Sequence, residues 1–244
     1  MAVPLWLKDV IKWIAVTFGM DIVIVAKDFV EHQWHRIFAS RNILVLGPKE
    51  TGKTSLVLYL QHGRPYEVVD GEIRPPNPTG RPPDNPALAA VVDKKFAFQQ
   101  KNWLRLKRDV PGDLDFRTTW AQAIKDLQPH GIIYMVNGGL PDDELRREVA
   151  TGIGDDVLSQ YRIGLRELVA LHVFANFADQ WVDSPARARV KERVIADAFE
   201  DVIQGYDALK YLRFSVASTQ LSPNKKSWED TKRALHRFGA DLLE

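Results

Sequence analysis

Short apolar runs alternate with helical patterns along most of the chain, which is typical of an α/β protein. Three of these runs have the length of a strand and are bounded by polar or turn residues, at 43–46, 131–136 and 169–175. Such continuous runs predict strands of a mostly parallel sheet, buried on both faces. A last strand is predicted at 211–216, and a hairpin at 87–98 and 103–107 supplies one antiparallel edge strand.

Helical periodicity occupies the segments between the predicted strands. It predicts helices that start near 53, cover 117–127, lie within 142–168, and start at 185 and near 228. Gly152 and Gly154 predict a break in the third helix, because glycine disfavours helix interiors. Ser184 and Pro185 are a typical helix start. The fourth helix carries an apolar stripe that we interpret as core, namely Val190, Val194, Ala198 and Val202.

The first 40 residues differ from the rest, so we divide the chain into an N-terminal helical segment, 1–40, and a domain, 41–244. Apolar residues share one face at helical spacing in this segment. Its most apolar part, 13–26, is 14 residues long, whereas a membrane-spanning helix needs about 20. Two interpretations remain open. The helices dock on protein, or the tryptophans at 6, 13 and 34 anchor the segment at a membrane surface.

Composition limits the classes of function. The 33 basic and 32 acidic residues nearly cancel, so no overall field favours nucleic acid. The absence of cysteine excludes disulfides, thiolate metal sites and a cysteine nucleophile. The N-terminus lacks the features of a secretory signal, and we expect a cytoplasmic protein with possible membrane association through residues 1–40. A proline- and glycine-rich segment at 63–86 predicts a long functional loop.

The strand at 43–46 leads into the sequence Gly-Pro-Lys-Glu-Thr-Gly-Lys-Thr-Ser. This spacing of two glycines, lysine and threonine predicts a phosphate-binding loop, whose N–H groups and following helix attract an anion. It arises by chance in roughly one random chain of this length in a hundred. The predicted nucleotide contacts in it are Gly47, Lys49, Glu50, Thr51, Gly52, Lys53, Thr54 and Ser55. Lys53 would lie along the β- and γ-phosphates, and the Thr54 hydroxyl would bind Mg²⁺.

Two further motifs follow predicted strands. Asp109-Val-Pro-Gly112 ends one strand, where Asp109 is placed to hold Mg²⁺ through water and the Gly112 N–H to meet a γ-phosphate. Asn176-Phe-Ala-Asp179 ends another. Alone, each is also a common turn sequence. Their order after the phosphate loop resembles that of Ras-superfamily GTPases.

Within that superfamily the chain is most similar to the ADP-ribosylation-factor branch. Pro78-Thr79-Gly80 resembles the first switch of that branch, and Asp109 to Gly112 followed by Arg117 and Trp120 resembles the second. The resemblance implies a P-loop NTPase fold of three layers. It also implies that GTP and GDP are the ligands and that Mg²⁺ is bound by Thr54, Thr79 and Asp109.

The resemblance also assigns the base-binding residues. Asp179 would select guanine, because a carboxylate accepts the adjacent N1–H and N2–H donors that adenine lacks. Asn176 would tie its loop to the phosphate loop, and the Ala217 N–H would meet the guanine O6. Lys53, Gly112 and Asp113 would serve hydrolysis.

Two departures from the family pattern bear on activity. Phe177 stands where the family has a lysine whose stem covers the base, and it could replace that cover by stacking. Asp113 stands where the family has the glutamine that orients water. Because aspartate is shorter and anionic, we expect slow hydrolysis unless a regulator supplies catalytic groups.

Three functions are therefore weighed. The first is a guanine-nucleotide switch with slow, Mg²⁺-dependent GTP hydrolysis that controls an effector protein. The second is a non-hydrolysing adaptor that keeps the fold and docks a partner or membrane through residues 1–40. The third is an ATP-using P-loop protein such as a kinase, although no lid or acceptor motif is evident.

Overall fold

The computed structural model describes residues 41–69, 72–74, 91–98, 102–109, 117–160, 167–204, 206, 209, 211–221 and 228–243. The main compact unit comprises 41–96 and 104–244, while 97–98 and 102–103 belong to a second unit. The predictions for residues 1–40 lie outside the described residues. In the described part of the chain, no helix is both long and apolar enough to cross a bilayer.

The strands are β1 (Arg41–Leu46), β2 (Glu67–Val69), β3 (Glu72–Arg74), β4 (Val91–Phe98), β5 (Asn102–Asp109), β6 (Gly131–Asn137), β7 (Ala170–Asn176) and β8 (Arg213–Ser218). The helices are α1 (Lys53–His62), α2 (Arg117–Leu127), α3 (Asp142–Glu148), α4 (Ala178–Trp181), α5 (Pro185–Ile203) and α6 (Trp228–Leu243). A π-helix (Val149–Val157) and a 3₁₀ turn (Leu158–Gln160) follow α3 directly. The α/β class predicted from the sequence is confirmed.

The main sheet has six strands in the order β4-β5-β1-β6-β7-β8. The strands β5, β1, β6, β7 and β8 run parallel, so their carboxyl ends meet at one edge of the sheet. The connection from β4 to β5 is too short for a parallel crossover. An antiparallel edge strand at β4 therefore stays our prediction.

Helices cover both faces of the sheet, because successive strand residues point to opposite sides. On one face, Leu44 and Leu46 join a buried cluster with α2, α5 and the π-helix. On the other face, α6 packs on β7 and β8 and α1 packs on β1. β6 and β7 are buried along almost their whole length, which accounts for their uninterrupted apolar sequences.

A polar contact at a buried histidine holds α6 against the sheet. The His172 ring is 1% exposed, and its Nε2 lies 2.8 Å from Asp241 Oδ2. The Phe238 ring meets it edge-on, at 5.1 Å between centroids. Burial lowers the pKa of His172 below its ordinary value, and Asp241 opposes this only in part. Burial therefore favours a neutral imidazole in the folded protein, although the contact with Asp241 favours the protonated form.

The predicted break at Gly152 and Gly154 is wrong, because both glycines lie inside the π-helix. The buried Tyr134 hydroxyl donates to Glu148 Oε1 at 2.5 Å. A Cβ at Gly152 would lie 1.8 Å from that hydroxyl. Position 152 thus requires glycine, because the Tyr134 hydroxyl approaches the backbone closely there. The helix continues with the wider turns of a π-helix instead of ending.

Other predictions need smaller corrections. Val190 is not core, since it is 57% exposed, whereas Ile195 of the same helix is fully buried. The last strand begins and ends two residues later than predicted, at Arg213–Ser218. The proline- and glycine-rich segment is not only loop, because β2 and β3 pair antiparallel within it. Ser184 does cap α5, accepting the Arg187 N–H.

Candidate functional site

The phosphate loop leaves β1 at the carboxyl edge of the sheet and turns through two glycines with positive φ. Gly47 has φ 139° and Gly52 has φ 90°. A Cβ on Gly47 would lie 2.1 Å from the Met135 carbonyl oxygen. Glu50 is also left-handed, with φ 64°. The loop thus has a backbone path that only glycine tolerates where it passes β6.

Side chains close this loop from inside. Thr51 and Lys53 are 3% and 6% exposed, and both donate to the Pro48 carbonyl, at 2.9 and 2.5 Å. A buried ammonium is costly unless it is hydrogen-bonded or paired with an anion. Lys53 therefore brings a positive charge to the first turn of α1, where the helix dipole also favours an anion. Lys49 and Glu50 point into solvent.

The loop after β7 is bonded to the phosphate loop. Asn176 is 1% exposed, and its Nδ2 donates to the Thr51 carbonyl at 3.0 Å. A Cβ on Gly52 would lie 2.3 Å from the same Nδ2. The second glycine of the motif is therefore needed for this contact as well as for its φ. The two predicted motifs, far apart in sequence, meet at one edge of the sheet.

Asp179 and Phe177 occupy the turn after Asn176. Asp179 is exposed in the first turn of α4, so its carboxylate is accessible to a ligand. Phe177 is left-handed, at φ 63° and ψ 34°. Its side chain is half-buried and packs against the hydrophobic core. The position that holds lysine in the resembling family is thus tied to the protein interior.

Ala217 lies inside β8, in register with Phe174. The Arg213 and Thr219 N–H groups donate to the Val169 and Ala175 carbonyls. Alternate N–H groups of a parallel strand face the same neighbour, so the Ala217 N–H also faces β7. This corrects the prediction that it meets the guanine O6, which followed from ending the strand two residues early.

Thr219, which the sequence analysis missed, lies where Ala217 was expected. It is fully buried, and its carbonyl accepts the Ala178 N–H at 3.0 Å. Thr219 Oγ1 and Asn176 Oδ1 are both buried without a hydrogen-bond partner in the structure. Thr219 could have been predicted only from the exact end of β8. Hydrophobic periodicity does not determine the ends of a strand to within two residues.

Two of the three predicted Mg²⁺ ligands fall on neighbouring elements. Asp109 ends β5 in register with Val45 of β1, and Thr54 lies in the first turn of α1, which follows β1. A hydroxyl and a carboxylate are ligand types that Mg²⁺ accepts. Thr79, Gly112 and Asp113 lie outside the described residues. Among the described residues no cluster of three His, Asp or Glu side chains could hold a metal.

Further residues brace the site and were not predicted. Trp181 Nε1 donates to the Asn176 carbonyl at 2.8 Å, and the same carbonyl accepts the Gly138 N–H at 3.2 Å. A Cβ on Gly138 would lie 2.3 Å from the Trp181 ring. The loops after β6 and β7 are thus in direct contact. No sequence motif marks Trp181 for this role.

No protein-family model matches the chain, and no curated protein matches it. Solved structures do. The signal recognition particle receptor SRb-GTP/SRX complex from Chaetomium thermophilum matches with a TM-score of 0.54 at 14% identity, over 81% of this chain and 98% of that one. The chain shares the fold of GTP-binding proteins. The SsGBP and GDP complex matches with a TM-score of 0.53 at 12% identity, over 92% of this chain and 58% of that one. At these identities the likeness concerns the fold, and the branch is not distinguished.

Proposed function

We propose that this protein is a guanine-nucleotide-binding switch that hydrolyses GTP slowly and controls a partner protein. The observation that carries the proposal is the buried hydrogen bond from Asn176 to the Thr51 carbonyl, at 3.0 Å. It joins a phosphate loop to the loop that presents Asp179. A triphosphate and a guanine base of one nucleotide would then be bound by two loops that are already held together.

Electrostatics support the phosphate half of the proposal. Lys53 is almost fully buried beside the N-terminus of α1, where its charge is little screened. Lysine at this position would stabilise charge on the β- and γ-phosphates. Thr54 and Asp109 would hold Mg²⁺, which when bound neutralises phosphate charge.

The base half rests on Asp179 and on the buried polar atoms near it. The unpaired Asn176 Oδ1 and Thr219 Oγ1 would each be expected to destabilise the fold by about 1–3 kcal/mol. Buried groups without a partner are rare in folded proteins, and a functional role is one explanation for them. The fold shared with an SRb-GTP complex and with a GDP complex agrees with a guanine ligand.

Calorimetry of the full chain with GTP, GDP and ATP in the presence of Mg²⁺ tests this proposal. We expect GTP and GDP to bind more tightly than ATP. Asp179→Ala should weaken GTP by about 100-fold, because two charge-assisted hydrogen bonds are lost, and should leave ATP unchanged. Asp201→Ala, which removes an exposed carboxylate from α5, is the control. Tighter binding of ATP, or an unaltered preference in Asp179→Ala, would refute the guanine assignment.

A second candidate is a non-hydrolysing adaptor that keeps the fold and binds nucleotide constitutively or not at all. The packing of Phe177 against the core favours it, since less of this side chain is left to cover a base. Single-turnover phosphate release separates the two functions. Release that Lys53→Ala abolishes supports the switch, whereas no release from the unmodified chain supports the adaptor.

A further inference from the structure

Two neighbouring residues of α5 reach the loops on either side of the Asn176 loop. Lys191 Nζ donates to the Leu140 carbonyl and to Asp142 Oδ1, both at 2.6 Å. Its side chain is 12% exposed. This contact fixes the loop that leaves β6. The charge of Lys191 is well shielded from water, which strengthens a charge-assisted hydrogen bond.

Glu192 makes the opposite kind of contact with the end of β8. Its Oε1 accepts both the Ser218 N–H, at 2.8 Å, and the Ser218 hydroxyl, at 2.7 Å. An ammonium can hold only acceptors and a carboxylate only donors. Lys191 and Glu192 thus match what each loop offers, a carbonyl after β6 and an N–H at the end of β8.

The loop after β7 lies between these two and is bonded to both. The Gly138 N–H donates to the Asn176 carbonyl at 3.2 Å, and the Ala178 N–H donates to the Thr219 carbonyl at 3.0 Å. Between these contacts stands Phe177 in a left-handed conformation. A non-glycine residue keeps such a conformation only where its surroundings impose it.

We propose that Lys191 and Glu192 are positioning residues that set how long the nucleotide remains bound. They hold the loops after β6 and β8, and those loops hold the segment 176–179 in its binding conformation. The inference rests on the proposed function. Lys191 and Glu192 would act through these loops and not through the nucleotide, so the expected effect is on the dissociation rate.

Stopped-flow release of a fluorescent GDP from the full chain provides the test, with the variants Lys191→Met and Glu192→Gln. Each variant should release GDP about tenfold faster, since a charge-assisted hydrogen bond to a loop is lost. Hydrogen–deuterium exchange should also quicken in 137–142 for Lys191→Met, and in 176–181 for both variants. Lys191→Arg keeps the donors and should restore slow release.

Controls come from the same helix. Arg193→Met and Glu200→Gln remove exposed charges of the same two signs and should leave release and exchange unchanged. GDP release at the unmodified rate from Lys191→Met and Glu192→Gln would overturn the inference while leaving the proposed function intact. Equal acceleration by Arg193→Met would overturn it too. If the unmodified chain binds no guanine nucleotide, the proposed function itself fails, and the inference with it.

Discussion

Replacing Gly52 with alanine adds one methyl group at the point where two loops of the site touch. The new Cβ would lie 2.3 Å from Asn176 Nδ2, far inside van der Waals contact. Asn176 must then move, and its bond to the Thr51 carbonyl, 3.0 Å long in the structure, is broken or stretched. We expect the variant to be less stable and to lose nucleotide affinity.

The size of the effect has two parts. Alanine at a positive φ costs about 1–2 kcal/mol for the backbone alone. Loss of the buried Asn176 bond adds about 1–3 kcal/mol, because the Thr51 carbonyl and the amide lose their partners. The total falls at about 2–5 kcal/mol, a large share of the roughly 5–15 kcal/mol by which ordinary domains are stable.

Gly63, at the other end of α1, separates the two parts. Its φ is +70°, but a Cβ there would meet no atom within 4 Å. Gly63→Ala should therefore show the backbone cost only. Urea unfolding of both variants, followed by tryptophan fluorescence, gives the two free energies, and the difference is the contribution of the loop contact.

A double-mutant cycle with Asn176→Ala completes the assay. Once Asn176 is removed, Gly52→Ala should cost about as much as Gly63→Ala, because no amide remains to collide with the new methyl group. Equal costs for Gly52→Ala and Gly63→Ala in the otherwise unmodified chain would refute the reasoning. So would a Gly52→Ala variant that binds GTP as tightly as the parent.

Two further predictions concern the body of the domain. Burial lowers the pKa of His172 in the folded protein. The stability that this residue contributes is therefore present above its unfolded pKa of about 6.5 and is lost as the pH falls through the folded value. Thermal melts in this acidic window should show the loss, and His172→Gln should reduce the pH dependence of the melting temperature. Gly152→Ala should destabilise the protein by about 1–3 kcal/mol, because its Cβ would meet the Tyr134 hydroxyl at 1.8 Å. In Gly154→Ala the Cβ would meet Val202 at 3.1 Å, so this variant should lose less stability in the same unfolding assay. Equal losses would contradict the packing described.

Local chemistry correctly predicted the strand, the turn and the helix around the glycine-rich loop at 47–52. The strand before Gly47 and the helix from Lys53 follow from glycine spacing and apolar runs. β6 was predictable because it is buried on both faces and carries no alternating pattern. The meeting of Asn176 with Thr51 was predictable from a family resemblance, since sequence distance alone gives no hint of it.

Contacts between distant residues account for the errors. Gly152 has the propensity of a helix breaker, but the Tyr134 hydroxyl leaves no room for a side chain there, and the helix continues. Val190 fits a four-residue period with Val194, yet the buried surface of α5 also includes Ile195 and leaves Val190 exposed. The ends of β8 depend on pairing with β7, which the sequence of β8 does not encode by itself.

Asn176 and Asp179 differ in burial and in bonding, and this difference limits which substitutions the site can accept. Asn176 is buried and bonded to another loop, so altering it affects folding and binding together. Asp179 is exposed, and nothing described in the protein depends on its carboxylate. Under the proposed function, a substitution at Asp179 would therefore alter the choice of base in a single step while the scaffold stays intact. For engineering, Asn176 would have to be kept to preserve the fold of the site, whereas Asp179 would be the position at which to change base specificity.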